Sequence, residues 1–201
     1  MKSVDLGQCV TPASRNETDR RKRKTKALLG KTLIQLLMQK DLKDITVREL
    51  TEVADVNRGT FYLHYTDIYD LFDQFERELL EEFAVVIGKH KQQEDVFAYP
   101  VMVDTFKFIA ANADLFIAIL RTRETSFFSK IVETNKPQNK KEWKKLIGDT
   151  PEECHEYYYA FITSGLYAML IRWFSQGMRD TPEFMAKLAV KMIENCVKGV
   201  G

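Results

Sequence analysis

Cysteine and histidine are scarce in this chain of 201 residues, with three of each. Cys9, Cys154 and Cys196 lack metal-ligand spacing, and their odd number suits a reducing compartment better than a disulfide framework. They read as buried, inert thiols, with a Cys154–Cys196 redox pair as the alternative. His64, His90 and His155 are scattered, and adjacency on a helix sends the Cys154 and His155 side chains in diverging directions. A glycine-rich phosphate loop is also missing. Glu152, Glu153 and Glu156 beside His155 suit a solvated helix beginning better than an acid–base site. The expectation is therefore a non-enzyme with no metal and no cofactor. Apolar runs are short: none reaches the roughly eighteen residues of a membrane-span candidate. The opening stretch MKSVDLGQCVTPASRNETD has no apolar signal-peptide centre, so the expected location is the cytoplasm, with no membrane.

What is present is carbon for a core and an uneven charge. The apolar fraction of 45% is ample for one large domain or two small ones. The net charge of +1 conceals an asymmetry: residues 1–66 carry thirteen Lys/Arg against eight Asp/Glu, and the remainder seventeen against twenty-one. A basic N-terminal third on a slightly acidic body is the footprint of a protein that meets a polyanion at one end.

That third contains residues 44–72, DITVRELTEVADVNRGTFYLHYTDIYDLF. Thr46 and Glu49 form a capping box, so a helix starts at Val47 and buries Val47, Leu50, Val53 and Ala54. Asp55-Val56-Asn57 is turn chemistry, because Asp and Asn tolerate positive φ. Asn57 caps a second, very short helix in which Phe61, with Leu63, packs inward. So short a helix is not stable alone, and Gly59 costs it about 1 kcal/mol relative to Ala. Its outer face must meet something closely, as in a DNA major groove.

The run Arg58-Gly59-Thr60-Phe61-Tyr62-Leu63-His64-Tyr65, eleven residues after Val47 and followed by an acid-capped amphipathic helix, closely resembles the TetR/AcrR family of bacterial transcriptional regulators over residues 20–88. The resemblance implies a sequence-specific DNA-binding regulator, a repressor, acting as a homodimer on a palindromic double-stranded operator. It implies phosphate contacts for Thr46, Tyr62 and His64, a place near the groove for Arg48, and base-facing positions for Asn57, Arg58, Gly59 and Thr60. Three residues depart from the family pattern: Asp55 replaces the usual turn Gly, Thr51 a small Ala, and Ile68 a frequent Lys.

The expected architecture is all-α: residues 1–19 a flexible tail, 20–66 a three-helix DNA-binding domain with the helix-turn-helix, 67–88 a linking helix, and 89–201 a C-terminal helical ligand and dimerisation domain. The basic cluster from Arg20 to Lys26 leads the first helix, with Arg23, Lys24 and Lys26 as phosphate contacts. Ala27, Leu28, Leu33, Leu36 and Leu37 form that helix's core stripe. Asp67 caps the linking helix, which Gly88 ends, and residues 89–95 are a polar connection. Short helices follow near 100–111, 113–120 and 127–132, and residues 135–145 read as a loop. Thr150-Pro151-Glu152-Glu153 starts a long helix that Gly177 stops, and Thr181-Pro182-Glu183 starts the last one.

Both final helices are apolar over more than one face, which points to a four-helix dimer interface through Tyr159, Trp173, Phe174, Phe184, Leu188 and Met192. Aromatic and methionine content suggests a pocket for a small hydrophobic or phenolic effector at Phe116, Phe127, Tyr158, Phe161, Tyr167 and Met169. Gly165, Trp173, Gly177 and Pro182, after Phe116 and Tyr158, resemble the subset that includes dihydroxyacetone-kinase-type regulators, which implies a protein co-regulator as the alternative to a small ligand. A helical interaction module with a basic membrane-binding end is a further alternative, disfavoured because Leu28, Leu33 and Leu36 are better used as core.

Overall fold

The computed structural model describes residues 12–90, 98–122, 127–137, 140–148 and 150–198. Cys9, residues 1–11 of the expected tail and residues 91–95 of the expected connection lie outside them. The described residues are helical with no strand, so the fold is all-α as expected. The chain divides into two compact units, one ending at Asp73 and one beginning at Gln74.

The first unit contains α1 (Pro12–Leu37), a 3-10 turn (Leu42–Asp44), α2 (Val47–Val53), α3 (Arg58–Tyr62) and the beginning of α4 (Ile68–Gly88). Helix α1 reaches back into the stretch read as a tail, and a proline suits its first turn because φ is already set. Its core side is Leu29, Leu33, Leu36 and Leu37, with Thr32 buried among them. Ala27 and Leu28, expected inside, are exposed, and Leu29 takes their place at the beginning of a stripe that otherwise holds. Helix α2 buries Leu50, Thr51 and Ala54, whereas Val53 is exposed. Thr51 is accommodated because its hydroxyl donates to the Val47 and Arg48 carbonyls of its own helix at 2.8 and 3.0 Å, leaving only its methyl to pack. Ile68 is also a core residue.

The second unit takes the rest of α4, then α5 (Tyr99–Ala111), α6 (Ala113–Arg121), α7 (Phe127–Thr134), α8 (Lys140–Ile147), a 3-10 turn (Glu152–Cys154), α9 (His155–Ser175) and α10 (Pro182–Lys198). Helix α10 lies along α5, with Lys107 bridging to Glu183 at 2.9 Å. Two expectations fail locally. Residues 140–145, part of the stretch read as loop, fall within α8, where Trp143 stacks on His155 at 4.8 Å and Ile147 is buried against Ile162 and Ile193. The expected cap at Thr150 does not form either. Its hydroxyl donates back to the Ile147 carbonyl, and a 3-10 turn precedes α9. Gly177, at φ +70°, ends α9 as expected, with Gly177 N–H donating to Phe174 O and Met178 N–H to Trp173 O. Cys154 and Cys196 are free thiols, half-buried rather than buried.

The turn after α2 carries backbone strain at one residue. Asp55 adopts φ +52°, in the left-handed region that costs most L-residues about 1–2 kcal/mol. We predict that Asp55→Gly raises folding stability by up to about 1 kcal/mol and that Asp55→Val lowers it. Urea denaturation midpoints of the two variants check this.

Candidate functional sites

The first candidate is built around α3, whose five residues are secured at both ends and from beneath. Asn57 Oδ1 accepts the Gly59 N–H at 2.7 Å, and the Asn57 carbonyl accepts from Thr60 and Phe61. A Cβ at position 59 would sit 3.0 Å from Asn57 Oδ1, so the glycine serves the cap itself. Phe61 is fully buried, with Tyr62 edge-on at 5.4 Å and Tyr65 at 5.6 Å. After α3, Asp67 Oδ1 accepts the Asp70 N–H and Asp70 Oδ2 accepts the Thr66 N–H, both at 2.8 Å, which restarts the chain as α4.

With Phe61 inward, Arg58 and Gly59 are exposed, Thr60 is half-buried and Tyr62 is 52% exposed. Leu63, expected to help fill the core, is instead 80% exposed, because α3 ends at Tyr62 and Leu63 is already the capping residue. Arg48 is exposed and donates from Nε to Glu52 at 2.8 Å, so it must exchange that partner to reach a phosphate. Thr46 accepts the Glu49 N–H at its hydroxyl oxygen, which leaves the O–H available to donate. The Glu49 carboxylate takes Lys40 instead of closing the expected box.

Two basic residues of α1, Lys22 and Lys26, lie near the residues that follow α3. Arg23 and Lys24 are exposed, and the Lys26 ammonium lies 5.8 Å from the centroid of the Tyr65 ring. Partial burial holds the His64 pKa below its ordinary value, and the charges of Lys26 and Lys22 push it the same way. Lys22 was not among the expected contacts. Its position four residues before Lys26 is the signal that could have found it.

The second candidate is a cavity of about 530 Å³ inside the second unit. Helix α4 supplies Phe83 and Ile87, α5 supplies Met102, Phe106 and Ile109, and α7 and α9 close it. Of the expected ligand residues, Phe116 and Tyr167 line it. Phe127 lies behind the wall, fully buried and edge-on to Phe116 at 5.5 Å. Tyr158 packs instead with Ile147, Ile162 and Ile193, Phe161 is 68% exposed, and Met169 is half-buried away from the lining. The lining draws on α4 and α5 residues that no local pattern singles out.

Two residues expected at a dimer interface are internal. Tyr159 is 4% exposed, donates its hydroxyl to the Val132 carbonyl at 2.7 Å and lines the cavity. Burial first, then Glu133 and Glu156, push its pKa up to about 12. Trp173 is buried against Phe106 and donates to the Asp180 carbonyl at 3.0 Å. Phe184 and Met192 are over half exposed, and Phe174 and Leu188 half-buried. Tyr157, Phe161 and Ile171 add a further exposed apolar row on α9. Among the described residues no cluster of side chains suits a metal, and no helix is long and apolar enough to cross a membrane.

Comparison with known proteins bears on the C-terminal region and the fold. Residues 98–195 match the TetR_C_8 family model, described as a transcriptional regulator C-terminal region. A curated relative, the uncharacterized HTH-type transcriptional regulator YxbF of Bacillus subtilis (strain 168), is 23% identical over 178 residues. The match takes in 83% of this chain and 44% of YxbF, so the chain spans under half of that relative's length. Among solved structures, a TetR transcriptional regulator from Streptococcus agalactiae 2603V superposes with a TM-score of 0.63 at 23% identity, over 89% of this chain and 98% of that one. The fatty acid degradation regulator FadR from Bacillus halodurans gives 0.63 at 15% identity, over 88% and 96%. The dihydroxyacetone kinase operon activator DhaS gives 0.55 at 14%, over 87% and 96%. Residues 98–195 thus match a TetR-type transcriptional-regulator C-terminal region, and the chain shares its fold with a solved TetR regulator.

Proposed function

We propose that the protein is a sequence-specific repressor that binds a palindromic operator as a homodimer and releases it when a small molecule fills the cavity of the second unit. The observation that carries the DNA-binding reading is the capped five-residue helix α3, which spends its buried side on Phe61 and leaves Arg58, Thr60 and Tyr62 outward. Arg58 suits a guanine, whose O6 and N7 match a guanidinium in bidentate fashion. Thr46, Tyr62, His64 and the α1 cations, Arg23, Lys24 and Lys26, suit phosphates, which fix register without reading sequence.

Dimerisation follows from α9 and α10. Large apolar side chains at Tyr157, Phe161 and Ile171 recur at helical spacing opposite the cavity-facing row Tyr159, Thr163, Leu166 and Leu170. A second copy would cover that row and Phe184 and Met192 as well, giving the two-fold symmetry that a palindrome requires. A protein co-regulator remains the second reading, favoured by the likeness to the activator DhaS and by the same exposed row. Control of the head by the cavity would use α4, which carries Ile68, Leu71 and Phe72 in the core of the first unit and Phe83 and Ile87 in the cavity wall.

Genome-wide mapping of bound sites supplies the operator against which three expectations are checked. Arg58→Ala is expected to lose about 1–3 kcal/mol of discrimination between the operator and a variant changed at one base pair while keeping salt-sensitive affinity for any duplex. Unchanged selectivity would remove Arg58 from the reading role. Phe161→Glu is expected to shift the protein toward monomer in analytical ultracentrifugation, and a dimer of undiminished affinity would move the interface elsewhere. The His64 pKa is depressed in the free protein, and a phosphate beside it would raise it, so binding takes up a proton. Operator affinity is therefore expected to rise as pH falls from about 7.5 toward and below the ordinary value near 6.5, and His64→Gln to flatten that rise.

A further inference from the structure

The cavity of the second unit has a charge character that its apolar lining conceals. At about 530 Å³ it falls in the range of roughly 300–1,000 Å³ that holds small organic ligands. Its ionisable groups cluster where the end of α7 meets the beginning of α9. Lys136 and Glu156 pair at 2.8 Å, while Glu133 acts electrostatically on both Lys136 and Tyr159. Two carboxylates thus face one ammonium, and that ammonium already holds one of them. Glu133 is exposed and has no ion-pair partner among the described residues.

The hydrogen-bond inventory of the wall has the same sign. Tyr159 gives its O–H to the Val132 carbonyl, Asn135 gives its amide N–H to the Ile131 carbonyl, and Thr163 gives its hydroxyl to the Tyr159 carbonyl. These donors are committed inside the protein, whereas the Glu133 carboxylate has none committed to it. The negative end of α7 lies at this place too. Thr105, Ser129 and Ser164 can donate or accept and do not decide the matter. Ring faces complete the environment, with Phe128 and Tyr167 packed edge to face at 4.8 Å, and aromatic faces attract cations. An anionic ligand would have to break the Lys136–Glu156 pair and settle beside Glu133. A cationic one finds its counter-charge already in place.

We infer that the cavity binds a hydrophobic monocation, an amine protonated at neutral pH, with its apolar body among Phe83, Ile109, Phe116 and Leu170 and its charged head at Glu133. The inference rests on reading the cavity as the effector site and adds the chemistry of the effector.

Three ten-carbon probes of equal tail separate head from body: decylamine, decanol and decanoate, titrated calorimetrically into the purified full chain at pH 7, below micelle formation and without DNA. Decylammonium is expected to bind at one site per chain, roughly fivefold or more tighter than decanol, the gain of a partly solvated charge contact. Glu133→Gln, at an exposed position, is expected to remove that preference and leave decanol affinity unchanged. Lys136→Gln is expected to widen it. Decanoate binding tightest, equal affinity for all three probes, or a preference that survives Glu133→Gln would overturn the monocation assignment and leave the effector cavity standing. Failure of all three to bind would overturn both.

Discussion

A helix of five residues cannot hold itself, since ordering its first turn fixes several dihedrals for a single internal hydrogen bond. Helix α3 exists because Asn57 supplies the missing acceptors from one side and Phe61 supplies burial from beneath. The same economy explains Gly59: any larger residue would press a Cβ against the capping oxygen. It also explains the surrounding chemistry. Thr51 satisfies its own hydroxyl so that α2 can pack closely, and Asp55 turns the chain through positive φ. Each of these residues fixes the outer face of α3 without occupying it, and that outer face is what the proposed DNA reading would use.

Charge is distributed on the same logic. Arg23, Lys24 and Arg58 are exposed in the head, whereas Arg48 and Lys40 are held by neighbouring carboxylates. Partial burial first, then Lys26 and Lys22, hold the His64 pKa below its ordinary value. Under the proposed DNA-binding reading, the exposed cations of such a face would meet phosphates. Counterion release would then contribute to that binding and make it salt-dependent.

Much of the head was readable in the sequence because its determinants are local. Caps, turn residues and the register of Phe61 each depend on neighbours within four positions, and Asn57, Asp55 and Asp67 behave as their residue types require. Errors arose where a stripe had to be phased against a partner, as at Leu28 and Val53, or where a helix ended one residue early, as at Leu63. The second unit was harder for a physical reason. A helix that is apolar nearly all round does not declare which of its faces its own chain covers. Tyr159 and Trp173 looked like interface residues for that reason, yet α7, α5 and the turn after α9 bury them. The cavity was invisible for a related reason. It is the space left between α4, α5, α7 and α9, and no segment encodes a gap.

The two faces of α9 tie these observations together. Tyr159, Thr163, Leu166 and Leu170 look into the cavity, while Tyr157, Phe161 and Ile171 on the opposite side are left to solvent. A close-packed helix moves as a body when its neighbours are displaced, because interiors deform little. A ligand that pushes on Tyr159 therefore bears on the row that a second copy would cover, and one that pushes on Phe83 bears on α4. The repressor proposed above would need both responses, since its two recognition helices would have to keep a fixed separation to engage successive major grooves. One occupied cavity would act on that separation through the subunit contact and through α4 together. A modest differential affinity for the released state is then enough, as the ligand has only to favour one of two arrangements already within reach.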